Sequence, residues 1–424
     1  MTSEGVTSEG VTSKGVTSKG EHAKRDDIDF VAGDFWGTNP HEQLTWVREN
    51  APVYWDGRAW GIARYEDVRE ISKRPETFSN AQGIRPDAPA MPMLIDNDAP
   101  VHTHRRRLVS RGFTPRRVQE LEDRTRAWCD DIIDAVCERG ECDFVNDIAA
   151  LLPMAMIGDA LGFPLDERAK LLKWSDDMLS GLNGLLEVEV EVVVRAAEAY
   201  AGFRDYILEA IAARRSAPTD DLLSILVSAD VDGSALDDEA IIHDALLILV
   251  GGDETTRHVI SGGLYQLLQH PDQLRALQHD PTLIPTAVEE MLRWVSPIKN
   301  MARTVVQDTT FGGQRLEPGD KVVLLYPSAN RDATAFTDPF RFDIRRTPND
   351  HIAFGLGPHF CLGNSLARLE LVCMFEHLLR RLPDLALAND QEPAYRAANF
   401  VSGYERMPVT FTPTAPLHLR GGGS

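Results

Sequence analysis

The feature that most restricts the fold is a stretch from Asp237 to His270 with the composition of one uninterrupted helix. Such a helix has about 30 residues and is about 50 Å long. Its centre, Ala245 to Val250, is apolar on every side, which is typical of a buried helix rather than a surface helix. We therefore expect this helix to cross the core of the protein.

The middle of this helix carries a run that is costly to bury. Gly251 to Thr256 contains two glycines, two acids and two threonines. The glycines let a large ligand approach the backbone, and Thr255 can hydrogen-bond to the carbonyl of Gly251 and open a groove. With Glu254 beside it, this alcohol can relay protons into the groove. The residues alone support equally well a kinked core helix with a solvated acid.

The rest of the 424 residues predicts a mainly α fold with a small segregated β region. Helical spacing prevails from His102 to Gly262, with interruptions at Pro153, at the Gly162–Pro164 turn and near Gly181 to Gly184. A hairpin is expected from Pro52 to Ala63, around an Asp-Gly turn. Sequence from 302 to 342 has β character, and 80 to 100 is predicted to be a loop rich in Pro and Met.

Both ends of the chain differ from its middle. Thr2 to Gly20 repeats a polar five-residue unit, so residues 1–26 are predicted to be a disordered tail. Residues 418–424 end in a Gly-Gly-Gly-Ser run and are predicted to be a C-terminal tail. Because no linker-like segment divides the chain between them, residues 27–417 are expected to form a single domain.

Charge and cysteine content exclude several classes of protein. With 65 acidic and 44 basic residues the net charge is -21, which disfavours nucleic acid as a partner. No apolar stretch is long enough for a membrane span, and the N-terminus has no signal pattern. Five cysteines fit a reducing cytoplasm better than a disulfide framework. Cys137 and Cys142 lack a second pair at zinc spacing, so ordinary thiols are favoured there.

One cysteine has an unusual setting. Cys361 lies in a glycine-rich loop, Phe354 to Gly363, just before a helix predicted from Asn364 to Leu379. Unpaired N–H groups and the helix dipole favour a thiolate at such a helix start. Gly355 and Gly363 have no side chain, so the backbone can lie against something flat and large. A single thiolate beneath a flat cofactor indicates haem iron with an axial cysteine.

Two further pairs of polar residues have helical spacing. Glu290 and Arg293 are placed to face one another, and Arg341 in a later Pro-Phe-Arg-Phe run can join them. His102 and Arg106 can both reach carboxylates on one side of a helix. Taken alone, the first group would be interpreted as a surface ion pair and the second as a solvated basic face.

In this order, the motifs resemble the cytochrome P-450 family of haem-thiolate monooxygenases, over residues 27–417. The Phe-Gly-x-Gly-x-His-x-Cys-x-Gly pattern is highly specific, and the other motifs corroborate it. The resemblance implies the cytochrome P-450 fold, heme b as the cofactor and Cys361 as the proximal iron ligand. It also implies that Glu254 and Thr255 form a catalytic acid–alcohol pair, although many bacterial members have Asp in place of Glu254.

The resemblance assigns two groups of residues around this cofactor. The residues implied to bind heme b are His102, Arg106, Arg303, Gly355, His359, Cys361 and Gly363. The residues implied to form a structural triad behind it are Glu290, Arg293 and Arg341.

Three shorter runs narrow the resemblance to actinobacterial sterol side-chain hydroxylases. They are Ser79 to Pro86, Gly251 to Arg257 and Ala398 to Gly403. The resemblance implies oxidation of the terminal methyl carbon of cholesterol or cholest-4-en-3-one, through the alcohol and aldehyde to the acid. Such a substrate needs an apolar slot with few polar anchors. The candidate wall residues, each of which could equally be plain core, are Ile84, Met91, Met93, Ile248, Val250, Gly251, Ile298, Met301, Phe400 and Val401.

The source of electrons is expected to be another protein. The chain has no convincing flavin or dinucleotide fingerprint, so the resemblance implies a ferredoxin with its ferredoxin reductase. A basic stretch in this acidic chain is predicted to contribute to the docking of an acidic ferredoxin. Its arginines are Arg105, Arg106, Arg107, Arg111, Arg116 and Arg117. Three alternatives stay open: a peroxygenase, a non-catalytic haem sensor or carrier, and a monooxygenase of macrolides, terpenes or fatty acids.

Overall fold

The computed structural model describes residues 25–182, 189–231 and 234–417. The predicted repeat tail up to residue 24, the second half of the Gly181 to Gly184 interruption and the C-terminal tail lie outside the described residues. Arg25 was predicted to belong to the tail. It donates its backbone N–H to the Tyr54 hydroxyl (2.8 Å), and its guanidinium lies 5.1 Å from the centre of the Trp46 ring. The packed part therefore already includes Arg25.

Helices dominate the described residues, as the sequence predicts. They are α1 Gly33–Gly37, α2 His41–Asn50, α3 Tyr65–Ser72, α4 Val101–Val109, α5 Pro115–Glu120, α6 Glu122–Asp134, α7 Leu151–Leu161, α8 Arg168–Leu182, α9 Val190–Ser216, α10 Leu222–Val227, α11 Asp238–Gln269, α12 Pro271–His279, α13 Ile284–Val295, α14 Tyr326–Ala329 and α15 Asn364–Arg381. None of the helices in this part of the chain combines the length and the apolar character that a membrane span requires.

Short strands form the segregated β region. They are β1 Val53–Trp55, β2 Trp60–Ile62, β3 Phe78–Ser79, β4 Glu141–Asp143, β5 Asp230–Val231, β6 Ser234–Ala235, β7 Asn300–Val305, β8 Thr309–Phe311, β9 Gln314–Leu316, β10 Lys321–Leu325, β11 Ala386–Leu387 and β12 Pro408–Thr410. The main sheet has the order β1-β2-β10-β7-β3, in which β10 runs parallel to β2 and antiparallel to β7. The predicted hairpin is confirmed, since β1 pairs antiparallel with β2.

Helix α11 is the long helix expected from the sequence. The Asp237 carboxylate caps its start by accepting the N–H of Ala240 (2.8 Å). Its N-terminal half packs in one apolar cluster with α7, α8, α9 and α10, and its C-terminal half packs in another with α6, α13 and α15. The polar run from Gly251 to Thr256 lies between these two clusters. The two glycines and the two threonines of this run line a cavity, whereas its two acids do not.

Two details of the helical region differ from the prediction. Pro153 does not interrupt a helix but lies in the first turn of α7, which directly follows a π-helical turn, Val145–Ala149. Gly162 ends α7 with a left-handed backbone (φ 76°), as a turn at that position requires. Strand β4 and the β5–β6 hairpin also lie inside the stretch predicted to be mostly helical. Strand β4 pairs antiparallel with β12, which lies more than 200 residues later in the chain, so local sequence does not indicate it.

Candidate active site

A cavity of about 310 Å³, called the main cavity below, lies between α11 and the loop that precedes α15. Helix α4, strand β7, the loop before α4 and the segment around Phe400 complete its walls. Most of the side chains that line it are apolar. All five cysteines are among the described residues, and Cys361 alone lines this cavity.

The loop around Cys361 is held by its own backbone. The N–H of Cys361 bonds the carbonyl of Phe354 (2.9 Å), and its carbonyl accepts the side-chain amide of Asn364 (2.8 Å). At Gly357 (φ 72°) a Cβ would come within 2.2 Å of the Ser72 carbonyl oxygen, so this position requires glycine. Burial raises the pKa of the Cys361 thiol, and a hydrogen bond from the Gly363 N–H opposes that rise.

Four nitrogen-bearing side chains gather at the edge of the cavity. They are His102, Arg106, Arg303 and His359. The rings of His102 and His359 are 4.0 Å apart, and the Nε2 of His102 has no partner among the described residues. Burial followed by the Arg106 charge lowers the pKa of His102 to about 4, and burial followed by His102 lowers that of His359 to about 2. This group of donors fits two anionic groups, such as the propionates of haem.

Glycines leave room for a flat cofactor. A Cβ added at Gly251 on α11 or at Gly363 before α15 would meet no atom within 4 Å, because both positions face open space. Gly355 also lines the cavity, with a left-handed backbone (φ 66°). The chain can therefore approach a planar group closely, with the sulfur of Cys361 in the same cavity. The residues present fit haem in their donors and in the space they leave.

The predicted wall residues are brought together. All ten line the same cavity: Ile84, Met91, Met93, Ile248, Val250, Gly251, Ile298, Met301, Phe400 and Val401. They come from four separate parts of the chain. A backbone bond from Ala302 to the Ile84 carbonyl (2.7 Å) and a β-bridge between Ile298 and Val401 connect them.

Three buried polar residues of the cavity were not predicted. The Arg85 guanidinium lies over the Phe400 ring (4.8 Å) and bonds Asn399 (2.9 Å). The carboxylate of Asp96 accepts the N–H groups of Ile84 and Met91, and that of Asp244 accepts the N–H of Leu94. These bonds fix the Met- and Pro-rich loop. Asp244 could have been found from the sequence, because it is an acid directly before the apolar centre of α11.

Arg105 is one member of the basic stretch that does not belong to an exposed surface. It is buried and forms an ion pair with Asp244 of α11. It also donates to the carbonyl of Pro92. Its partner is distant in sequence, so the run of neighbouring arginines gave no indication of its burial.

The acid and the alcohol of α11 have different surroundings. Thr255 lines the cavity and donates its hydroxyl to the Gly251 carbonyl (2.8 Å), as expected. Glu254 is fully buried outside the cavity wall, with ion pairs to Arg257 and Arg396. Burial acts to raise the pKa of Glu254, but the charge of Arg257 holds it well below its usual value. The expectation that both side chains share one groove is therefore wrong in this structure.

A chain of charges leads from Glu254 toward the surface. Arg257 bonds Asp176 of α8 (3.0 Å), whose side chain is 39% exposed. Burial raises the pKa of Asp176 to about 6. Burial also raises the pKa of the neighbouring Asp253 well above its usual value. These groups offer proton carriers between solvent and Glu254.

The buried triad has a different third member from the predicted one. Glu290 is fully buried and accepts from Arg293 (2.7 and 2.8 Å) and from the Nε of Arg346 (3.0 Å). Its carboxylate also accepts the N–H of Asp343 (2.9 Å). Arg341 is exposed and contributes only its carbonyl, which accepts from Arg346 (2.8 Å). The assignment of the side chain of Arg341 to the triad is therefore wrong.

A sequence model of cytochrome P-450 matches residues 61–393, most of the chain. The chain belongs to the cytochrome P-450 family. This cytochrome P-450 is accordingly a haem-thiolate monooxygenase with heme b as its cofactor. The fold agrees with that membership. So does the cavity beside Cys361, which is lined by glycines and by histidine and arginine side chains.

Two curated relatives are similar over nearly their whole length. This cytochrome P-450 is 52% identical to the steroid C26-monooxygenase of Mycobacterium tuberculosis, over 92% of this chain and 98% of the relative. It is also 52% identical to the steroid C26-monooxygenase of Mycolicibacterium smegmatis, over 93% of this chain and 98% of the relative.

Solved structures show the same fold. A Mycobacterium marinum cytochrome P-450 in complex with pseudoionone superimposes with a TM-score of 0.85 at 34% identity, covering 92% of this chain and all of the other. The protein CYP109E1 of Bacillus megaterium, in complex with testosterone, gives a TM-score of 0.81 at 31% identity, covering 89% of this chain and 98% of the other.

The revised triad can be tested with a pair of arginine variants. Arg346→Ala is expected to lower the free energy of unfolding by roughly 3 kcal/mol, because a buried carboxylate loses one of its cations. Arg341→Ala removes an exposed side chain and should change it by less than about 0.5 kcal/mol. Urea unfolding of the haem-bound protein, followed by circular dichroism, measures both. Equal losses in the two variants would contradict the assignment.

Proposed function

We propose that this cytochrome P-450 hydroxylates the terminal methyl carbon of a sterol side chain and carries the oxidation on to the carboxylic acid. The substrate is cholesterol or cholest-4-en-3-one. The observation that carries this proposal is the 52% identity to two curated steroid C26-monooxygenases across 98% of their lengths. The apolar cavity of the described residues supports the same conclusion independently.

The lining of the cavity suits a long hydrocarbon. Its walls carry isoleucine, valine, methionine and phenylalanine side chains, and these stabilise a ligand by removing apolar surface from water. Asp96 accepts two backbone N–H groups, and Asp244 accepts one and pairs with Arg105, so neither acid demands a polar group from the substrate. A flexible alkyl end can reach past Gly251, where no side chain blocks the approach.

The cofactor would be held by residues of three segments. Cys361 would supply the thiolate that binds the iron, and Gly355 and Gly363 would let the backbone lie close to the cofactor. His102, Arg106, Arg303 and His359 would bind its two propionates. Bound haem supplies the activation of dioxygen that inserts one oxygen atom into a C–H bond, and thiolate ligation donates electron density for it.

Thr255 and Glu254 deliver protons in this proposal, although they do not share a groove. The hydroxyl of Thr255 donates to Gly251, which leaves its oxygen free to accept a hydrogen bond in the cavity. Glu254 is connected through Arg257 to the half-exposed Asp176. Rotation of the Glu254 side chain from its arginines toward Thr255 would join the two parts of the route.

Electrons come from a ferredoxin that is reduced by its reductase. The backbone carbonyl of Phe360, next to Cys361, accepts a hydrogen bond from Arg106 of α4. Phe360 itself is 37% exposed, so the protein layer over the thiolate is thin. Arg107 and Arg111 are exposed nearby in the chain and form no ion pair within the described residues. They are therefore available for an acidic partner.

Ligand binding and turnover test the substrate assignment. Cholest-4-en-3-one should shift the haem absorption and bind at least about tenfold tighter than a macrolide, a terpene or a fatty acid, because it fills the apolar cavity. Ferredoxin, reductase and NADH should then support formation of the terminal alcohol, at a rate that falls as ionic strength rises. A stronger response to another ligand class would overturn the sterol assignment. Equal turnover with peroxide alone would identify a peroxygenase.

Replacing Cys361 with serine tests the axial ligand. The variant should lose the thiolate type of spectrum in its reduced carbon monoxide complex, together with turnover, because an alcohol does not replace the sulfur anion. Cys142→Ser changes a half-buried thiol that does not line the cavity, and it should leave the spectrum unchanged. A thiolate spectrum in Cys361→Ser would remove this ligand from the proposal.

Thr255→Ala tests proton delivery. Haem and sterol binding should persist, while product formed per NADH consumed should fall at least about tenfold and peroxide release should rise. The matched control is Ser261→Ala on the same helix, because Ser261 donates to the Arg257 carbonyl (3.0 Å) with the same spacing but outside the cavity. Unchanged coupling in Thr255→Ala would show that protons enter by another route.

A further inference from the structure

A second, smaller cavity of about 60 Å³ lies away from the haem site. It is enclosed by the start of α2, the C-terminal half of α11, the end of α13 and the loop around Tyr395. This volume is enough for about four water molecules or for one ion with four or five heavy atoms. None of the functional residues proposed above lines it.

The charge of this cavity is opposite to that of the whole protein. Lys299 and Arg331 line it, together with two histidines, and no aspartate or glutamate of the described part of the chain does so. The chain as a whole carries a net charge of -21. A cationic cavity in such a protein is a local arrangement rather than a reflection of its composition.

Arg331 has no partner for its charge. Its side chain is buried (2% exposed), and its Nη2 donates to the carbonyl of Trp294 (2.8 Å). Its Nε and Nη1 have no acceptor, and it forms no ion pair with any residue of the described ranges. The face of the Trp294 ring, 4.3 Å away, compensates the charge only in part.

Lys299 adds a second buried cation. Its side chain is 4% exposed, and its Nζ donates to the carbonyls of Val295 and Ser296 and to the hydroxyl of Tyr395. All three acceptors are neutral. Burial followed by the charge of Arg331 lowers the pKa of Lys299 to about 7.

The acid whose charge acts on Arg331 is already occupied. Glu290 accepts from Arg293 and Arg346 and forms no ion pair with Arg331 among the described residues. Burial followed by the charge of Arg293 lowers the pKa of Arg331 to about 9. Water in the cavity can accept hydrogen bonds from the guanidinium, but it cannot neutralise a buried charge.

We propose that this cavity binds a small oxyanion, of the size of phosphate or acetate, between Arg331 and Lys299. The anion would accept from the Nε and Nη1 of Arg331 and would neutralise the pair of cations. The site is independent of the sterol assignment, because no residue of it reaches the main cavity. It is nevertheless connected to α11 through His258, whose Nε2 lies 3.4 Å from the carboxylate of Glu254.

Thermal unfolding of the haem-bound protein tests the proposal. Phosphate and acetate are titrated separately, with ionic strength held constant by a sulfonate salt too large for the cavity. We expect a saturable rise in Tm with the wild type. The anion that saturates at the lower concentration distinguishes an inorganic from a carboxylate ligand.

Variants of one residue connect the effect to the cavity. Arg331→Met should weaken binding of the anion at least about tenfold, because a charge-assisted hydrogen bond is lost. Arg331→Lys should retain part of the response, and Arg341→Gln, at an exposed arginine, should retain all of it. Wild-type saturation in Arg331→Met would overturn the proposal, as would the absence of any saturable response in the wild type.

A crystal structure of the wild type grown with selenate decides the matter even if Arg331→Met fails to fold. Selenium should give an anomalous peak within hydrogen-bonding distance of the Arg331 guanidinium. Water alone in the cavity at saturating selenate would overturn the proposal.

Discussion

The buried carboxylate of Glu290 anchors the segment that leads to the thiolate loop. It holds the guanidinium groups of Arg293 and Arg346 and the backbone N–H of Asp343, without exposure to water. This single acid pairs with two cations, one on helix α13 and one on the segment before the Cys361 loop. If the two segments separated, a buried charge would lose its partner or become exposed to water. The position of the sulfur beneath the cavity thus depends on an interaction that contacts neither substrate nor cofactor.

Features set by local sequence were predicted well. The long helix was expected from Asp237 to His270 and extends from Asp238 to Gln269, because its helical composition and its apolar centre are local signals. The pairing of side chains that are distant in sequence was not predicted well. Arg341 and Arg346 lie in the same segment, and only the turn between them decides which guanidinium faces Glu290.

The candidate site divides in the same way. The family resemblance named the ten wall residues and four nitrogen-bearing donors, and all of them line one cavity because each motif marks a chain segment that borders it. The orientation of Glu254 was missed, although consecutive residues of a helix point about 100° apart and do not face one another. The second cavity could not be predicted from the sequence. Lys299 and Arg331 belong to separate segments, and only the fold brings them into one cavity.

The last wall of the main cavity is supplied late in the chain. Val401 closes it through a β-bridge to Ile298. The Phe400 ring covers Arg85, which lies more than 300 residues earlier in the sequence. Since a chain is synthesised from its N-terminus, a growing polypeptide on the ribosome has the thiolate loop before it has this wall. Biosynthesis therefore passes through a stage in which the porphyrin pocket is open to the side, and loading of the cofactor can precede enclosure of the substrate chamber.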